Sequence, residues 1–197
     1  MAAKPKHREA IVNAAVTLFR RRGYSGTGLS DIVELSGAPK GSLYHYFPNG
    51  KLSIAEAAVR TAAANVSATY ARLAAEHKSP GKLVRAYGKL LAGWMKDSDF
   101  RSGSPIATVL LETAPDDPAI TAAGREAYAS RSEAFAQKLV SLGVPLARAK
   151  RLARLVTAAM EGSLIQARVD QSDDAIIAAA TELEKLLDSV VAEYAKN

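Results

Sequence analysis

The 197-residue chain predicts an all-α protein of about nine helices. Three observations carry this. Apolar residues recur at helical spacing along nearly the whole chain, and no stretch sustains the period-2 alternation of a half-buried strand. Glycine and proline fall in short clusters that cut the chain into helix-length pieces. Alanine is abundant between those clusters, while valine and isoleucine are scattered.

The elements follow in order. Ile11, Ala14, Ala15, Leu18 and Phe19 form one apolar face of a helix over 6–22, which Gly23 ends. Thr27 is placed to cap a short helix carrying Leu29, Ile32 and Val33 inward, with Asp31 in its first turn. Ser36-Gly37 makes a tight turn, and Pro39 suits the first position of a third helix running to about His45. Pro48-Asn49-Gly50 breaks the chain before a long helix over 51–76. Five more helices are expected near 82–97, 104–113, 118–141, 145–169 and 173–195. Ser104-Pro105 and Asp117-Pro118 both read as a cap followed by proline at the first helical position. The organisation is a small N-terminal domain, 1–50, joined through the long helix to a helical body, 51–197.

Charge is unevenly spread. The chain carries a formal net charge of +6, and residues 1–60 hold nine Lys or Arg against four Asp or Glu. Nearly all the excess positive charge therefore lies in the first third, as in a polyanion-facing module on a neutral body. A solvated basic surface without a partner reads the same way on charge alone. The chain has no cysteine, which excludes a disulfide scaffold, a thiolate metal site and a thiol nucleophile. No apolar run approaches the roughly 18 residues that span a bilayer, and the basic start lacks the apolar core of a secretory signal. A cytoplasmic protein with no membrane partner is expected. The three histidines, His7, His45 and His77, have no partner at metal-ligand spacing, and no nucleophile elbow, P-loop or dinucleotide fingerprint occurs. Neither enzyme activity nor a cofactor is expected.

Two short helices joined by a Gly-containing turn behind a longer first helix form a helix-turn-helix arrangement. At about 100° per residue, Leu43 and Phe47 share the inner face of the second short helix, leaving Gly41, Ser42, Tyr44 and His45 outward. Lys40 reaches solvent through its long side chain. A cation, a glycine, hydroxyls and an imidazole on one face suit contacts to phosphates and base edges. A generic helical hairpin carries the same pattern, and spacing alone leaves both readings open.

The run Gly23-Tyr24-Ser25-Gly26-Thr27-Gly28-Leu29-Ser30-Asp31-Ile32, followed by Ser36-Gly37-Ala38-Pro39-Lys40-Gly41-Ser42-Leu43-Tyr44-His45-Tyr46-Phe47, strongly resembles the N-terminal domain of TetR/AcrR-family transcriptional regulators. The resemblance spans roughly residues 8–60. Pro48-Asn49-Gly50-Lys51 is one residue longer than the usual connection. With Ser104-Pro105-Ile106-Ala107 and Leu111-Glu112-Thr113-Ala114, it resembles the branch that includes the LmrA and YxaF repressors. Two positions depart from the family pattern: Gly28 replaces a hydroxyl, and Ala38-Pro39 replaces the usual Val-Ser.

The resemblance implies a dimeric, ligand-responsive regulator that binds a palindromic operator in double-stranded DNA and leaves it when a small hydrophobic or aromatic effector binds. By the same resemblance, Thr27 and the amides opening the second helix would hold a phosphate. Lys40 and Gly41 would sit at the major-groove entrance, and Ser42 and Tyr44 would reach base edges or backbone. Tyr44, His45 and Tyr46 would touch phosphates or thymine methyls, and Lys51 would bind a phosphate. Lys4, Lys6 and Arg8 would form a basic arm.

For the body, the resemblance implies an effector pocket. Large side chains gather in the central helices, and Tyr87, Trp94, Met95, Phe100, Tyr128 and Met160 are its expected walls, with Glu112 and Gln166 as polar anchors. For each aromatic taken singly, ordinary core packing is the better reading. Ile176, Ala180, Leu183, Leu187 and Val190 advance in steps of three and four, as do Leu152, Val156, Ala159 and Ser163. These two stripes are expected to form a four-helix homodimer seam.

Overall fold

The computed structural model describes residues 5–195, and among these it contains nine α-helices and no strand. They are α1 (Pro5–Arg22), α2 (Leu29–Ser36), α3 (Lys40–Tyr46), α4 (Lys51–Glu76), α5 (Pro80–Asp97), α6 (Pro105–Thr113), α7 (Pro118–Val140), α8 (Leu146–Asp170) and α9 (Asp174–Tyr194). Lys4 lies outside the described residues. Lys6 and Arg8 belong to the first turn of α1 rather than to an extended arm, and the Arg8 guanidinium lies 5.5 Å from the Phe47 ring centroid.

The helix limits follow the caps. Ser79 Oγ accepts from the Lys82 amide at 3.1 Å, and Ser104 Oγ from the Ala107 amide at 3.2 Å, each ahead of a proline in the first turn. Asp117 Oδ1 accepts from the Ile120 amide at 2.8 Å in the same way. Three caps differ from expectation. Pro39 and Pro145 stand just before their helices with ψ near 137° and 138°, because proline extends the residue it occupies here as readily as it opens a turn. Thr27 does not cap α2. Gly28 holds that position, and its amide donates to Asp31 Oδ2 at 2.8 Å.

Packing divides the chain into two compact units, with boundaries inside α4 and α7. The first takes the residues up to 65 and 104–127; the second takes 66–103 and 128 onward. Segments 51–65 and 104–127, expected with the body, thus belong to the unit that holds the helix-turn-helix. The core of the first unit is the anticipated α1 face, with Ile11, Ala15 and Phe19 fully buried, closed by Ile32, Leu43, Phe47 and Ile54. Burying this face, at about 25 cal/mol per Å² of apolar surface, is what orients α2 and α3.

In the second unit α9 packs against α5 and α8. Ile176, Ala180, Leu183, Leu187 and Val190 all point into this core, as do Leu152, Val156 and Ser163, with Ala159 partly buried against it. The stripes expected to meet a second subunit are therefore spent within one chain. Period 3.5 marks an apolar face but not which chain covers it. The exposed large apolar side chains of α8 and α9 are instead Leu146, Leu155, Ile165, Val169 and Leu186.

Gly88 sits where α5 meets α9. A Cβ there would lie 2.5 Å from the Ala180 Cβ, inside van der Waals contact and with no flexible atom to yield. Gly88→Ala is expected to destabilise the chain by about 1–2 kcal/mol in urea unfolding, since overpacking outweighs the roughly 1 kcal/mol of helix propensity gained. Ala180→Gly in the same chain should recover most of that loss; no recovery would place the strain elsewhere.

Candidate nucleic-acid interface

The turn between α2 and α3 is built from a few local bonds. Gly37 takes φ +61°, which a Cβ would strain, and Ser36 Oγ accepts from the Ala38 amide at 3.2 Å. The Ser42 amide donates to the Pro39 carbonyl at 2.8 Å, starting α3 tightly. Leu43 and Phe47 are buried as expected, and Lys40, Gly41, Tyr44 and His45 are exposed, with Ser42 half-buried. A Cβ on Gly41 would meet nothing within 4 Å, so this face admits close approach of another backbone. Between α2 and α3 lies an open groove lined by Ser30, Glu34, Lys40 and Tyr44 among others.

Two expected contact residues are placed differently. Thr27 is buried, and its hydroxyl donates to the Gly23 carbonyl at 2.8 Å, because the α1–α2 turn needs that bond more than α2 needs a cap. The Tyr46 hydroxyl is buried without a hydrogen-bond partner, and its ring stands edge-on to His45 at 5.1 Å. Neither hydroxyl is at the surface.

Lys51 holds an intermediate position. Its Nζ lies 4.2 Å from the Tyr24 ring centroid, and burial pulls its pKa below the usual lysine range although Glu112 and Asp31 pull it upward. Glu112 is exposed on α6. Its carboxylate accepts from the Tyr24 amide at 2.7 Å and the Ser25 amide at 2.8 Å, tying α6 to the turn that leads into α2. Burial raises the Glu112 pKa, but the Ser25 and Tyr24 hydrogen bonds and the Lys51 charge together hold it below its ordinary value. A group depressed in the folded state stabilises above its unfolded pKa and loses that contribution as pH falls through the folded one. Glu112→Ala should therefore cost about 1 kcal/mol near neutral pH, after allowance for solvent screening. Wild type and variant should converge in acid below the carboxylate range, read by urea midpoints. Equal midpoints at neutral pH would contradict the tie.

The second unit holds a cleft of about 150 Å³ between the later part of α4 and α7. Its lining includes Ser67, Tyr70, Leu83, Arg131, Phe135 and Lys138. The Tyr70 ring packs 4.5 Å from Tyr87 and edge-on to Phe135 at 6.4 Å. Burial raises both phenols, Tyr87 to about 12, so both stay neutral hydrogen-bonding groups. Arg131 is 7% exposed and donates through Nη2 to Glu161 Oε1 at 3.1 Å, while Arg131 Nε and Glu161 Oε2 are buried without partners.

The cleft takes none of the residues expected to line a pocket. Tyr87, Met95 and Met160 lie in the closed core, and Phe100 packs against that core where α5 ends. Tyr128 is half-buried with the Arg131 guanidinium 5.3 Å from its ring centroid. Trp94 is 40% exposed and Gln166 exposed, on helix faces turned away from the core. Arg131 had a readable signal: the four-residue steps Ala123, Ala127, Arg131, Phe135 put a cation in phase with buried residues. Among the described residues no group of three or more His, Asp or Glu side chains is placed to hold a metal ion. No helix among them is long and apolar enough to cross a membrane.

Comparison with known proteins settles the family. Residues 11–58 match the family of bacterial regulatory proteins of the tetR type, and residues 80–182 match the C-terminal domain of LmrA/YxaF-like transcriptional regulators. The chain is a TetR-family transcriptional regulator. It is 34% identical to the HTH-type transcriptional regulator LmrA of Bacillus subtilis, covering 80% of this chain and 84% of that one. It is 29% identical to YxaF of Bacillus subtilis over 95% of this chain and 98% of the relative. Its fold matches that of the TetR-family regulator CifR, solved as a cysteine-substituted form with a 26-bp operator duplex. The TM-score is 0.73 at 17% identity, with 91% of this chain and 95% of that one covered. The regulator's helix-turn-helix is thus its DNA-binding element, and its relatives are transcriptional regulators rather than enzymes.

Proposed function

We propose that the regulator is a cytoplasmic homodimeric repressor that occupies a palindromic operator and leaves it when a small hydrophobic or aromatic effector binds the second unit. The observation that carries the DNA contact is the exposed α3 face, where Lys40, Gly41, Tyr44 and His45 are open and Leu43 and Phe47 hold the helix from behind. Lys40 and Tyr44 reach phosphates or base edges, Ser42 assists from the helix flank, and Lys51 faces a phosphate beside Tyr24. The amides that open α2 supply a further anion contact without a hydroxyl cap. Occupation of the operator by such a dimer blocks polymerase by bulk alone.

The dimer surface is the exposed stripe Leu155, Ile165 and Val169 on α8 with Leu186 on α9. Ala158 and Gly162 share this stripe, and a Cβ on Gly162 would meet nothing within 4 Å, so a second helix can come close. Ile165→Asp should raise the dimer dissociation constant about a hundredfold, seen as monomer by sedimentation at micromolar concentration. A variant that stays dimeric would move the interface elsewhere. Release by effector requires that the effector bind one subunit arrangement better than the other. Footprinting of the DNA flanking the regulator's own gene tests the whole reading. The expected pattern is two protected half-sites about one helical turn apart.

A further inference from the structure

The α4–α7 cleft has three properties that together select a ligand chemistry. Its size, about 150 Å³, is that of engineered cavities that admit a single benzene ring. Its floor is aromatic, with Tyr70 and Phe135 set edge-to-face. Its lining carries two cations, Arg131 and Lys138, and no carboxylate. Glu161 takes one guanidinium N–H from outside the lining, and the neighbouring Glu133 is engaged by Gln137 and Lys150. The Arg131 charge is thus shared with Glu161, and Lys138 is the lining cation left without an ion pair.

Arg131 adds the decisive observation. It is more than nine-tenths buried in aromatic surroundings, and its Nε has neither a partner nor solvent. A buried donor left unpaired is costly, and a buried ion pair is not needed for stability, since apolar residues of similar volume do as well. A cationic ligand would be repelled by this lining, and a neutral hydrocarbon would bring the guanidinium no acceptor. An anion on a flat ring meets both demands. We propose that the cleft takes a single-ring aromatic carboxylate, its ring on Tyr70 and Phe135 and its carboxylate between Arg131 and Lys138. Ser67 and Ser130 add two hydroxyl-bearing side chains to the lining. The inference rests on the effector-responsive reading only for its consequence on DNA; binding itself is independent of it.

Calorimetric titration of the full chain with benzoate, benzyl alcohol, benzylammonium and acetate tests this. One benzoate should bind per chain, at least about tenfold tighter than benzyl alcohol, with acetate and benzylammonium much weaker than either. Arg131 variants lose stability, so the informative change is Lys138→Gln on the half-buried rim, checked for an unchanged melting temperature. It should bring benzoate to within about threefold of benzyl alcohol and leave benzyl alcohol binding as it was. Benzoate no tighter than benzyl alcohol, or a Lys138→Gln variant that binds benzoate as wild type does, would overturn the proposal. A separate titration on operator DNA keeps the two claims apart. Benzoate that binds the chain without releasing DNA supports the cleft and overturns its coupling to the operator.

Discussion

Arg131→Leu is expected to lower the stability of the regulator by about 3 kcal/mol, the lower end of the cost of breaking a buried ion pair. The loss comes less from the missing hydrogen bond than from Glu161, whose carboxylate would remain largely buried with no cation beside it. The Tyr87 phenol would lose a neighbouring cation. Replacing both members, Arg131→Leu with Glu161→Leu, should return most of the stability, because a well-packed apolar pair replaces two desolvated charges. A double-mutant cycle on urea midpoints measures the coupling directly. A single variant as stable as wild type would mean that Glu161 finds water or another cation when Arg131 is gone. The comparison also separates fold from function: the double variant keeps the core and removes the cation proposed to meet the ligand.

Lys40→Ala is expected to weaken operator binding about tenfold at moderate salt and to reduce the salt slope by about one. Lys40 is exposed at the start of α3, so its removal should leave the unfolding midpoint unchanged. Tyr44→Ala should cost a similar factor with little change in slope, since a phenol carries no charge to release counterions. Anisotropy titrations at several salt concentrations distinguish the two. Equal slopes for wild type and Lys40→Ala would remove Lys40 from the phosphate contacts.

The sequence revealed most where local rules act alone. Gly23, Pro48-Asn49-Gly50, Ser104-Pro105 and Asp117-Pro118 marked helix limits because capping and backbone geometry are decided within a few residues. The inward pair Leu43 and Phe47, and hence the outward face of α3, followed from helical period alone. Longer-range partners were hidden. Glu112 reaches amides 87 and 88 residues away in the chain, which no spacing rule anticipates. The stripes on α8 and α9 were legible as apolar, but the presence of α5 opposite them was not, so the seam was assigned to the wrong partner. Thr27 was misplaced for a subtler reason: its hydroxyl had two acceptable uses, and the bond to Gly23 won over the cap. Trp94 was chosen for being large and unique, and size does not determine which side of a helix faces the core.

The central claim is that the exposed face of α3 binds a specific DNA site. A fluorescence-anisotropy titration of the purified chain against the DNA beside its own gene, at two salt concentrations and with unrelated DNA as competitor, tests it most directly. Binding that survives competitor, weakens with salt and is reduced in Lys40→Ala is the result expected. Weak binding that competitor and salt erase equally for wild type and variant would contradict it.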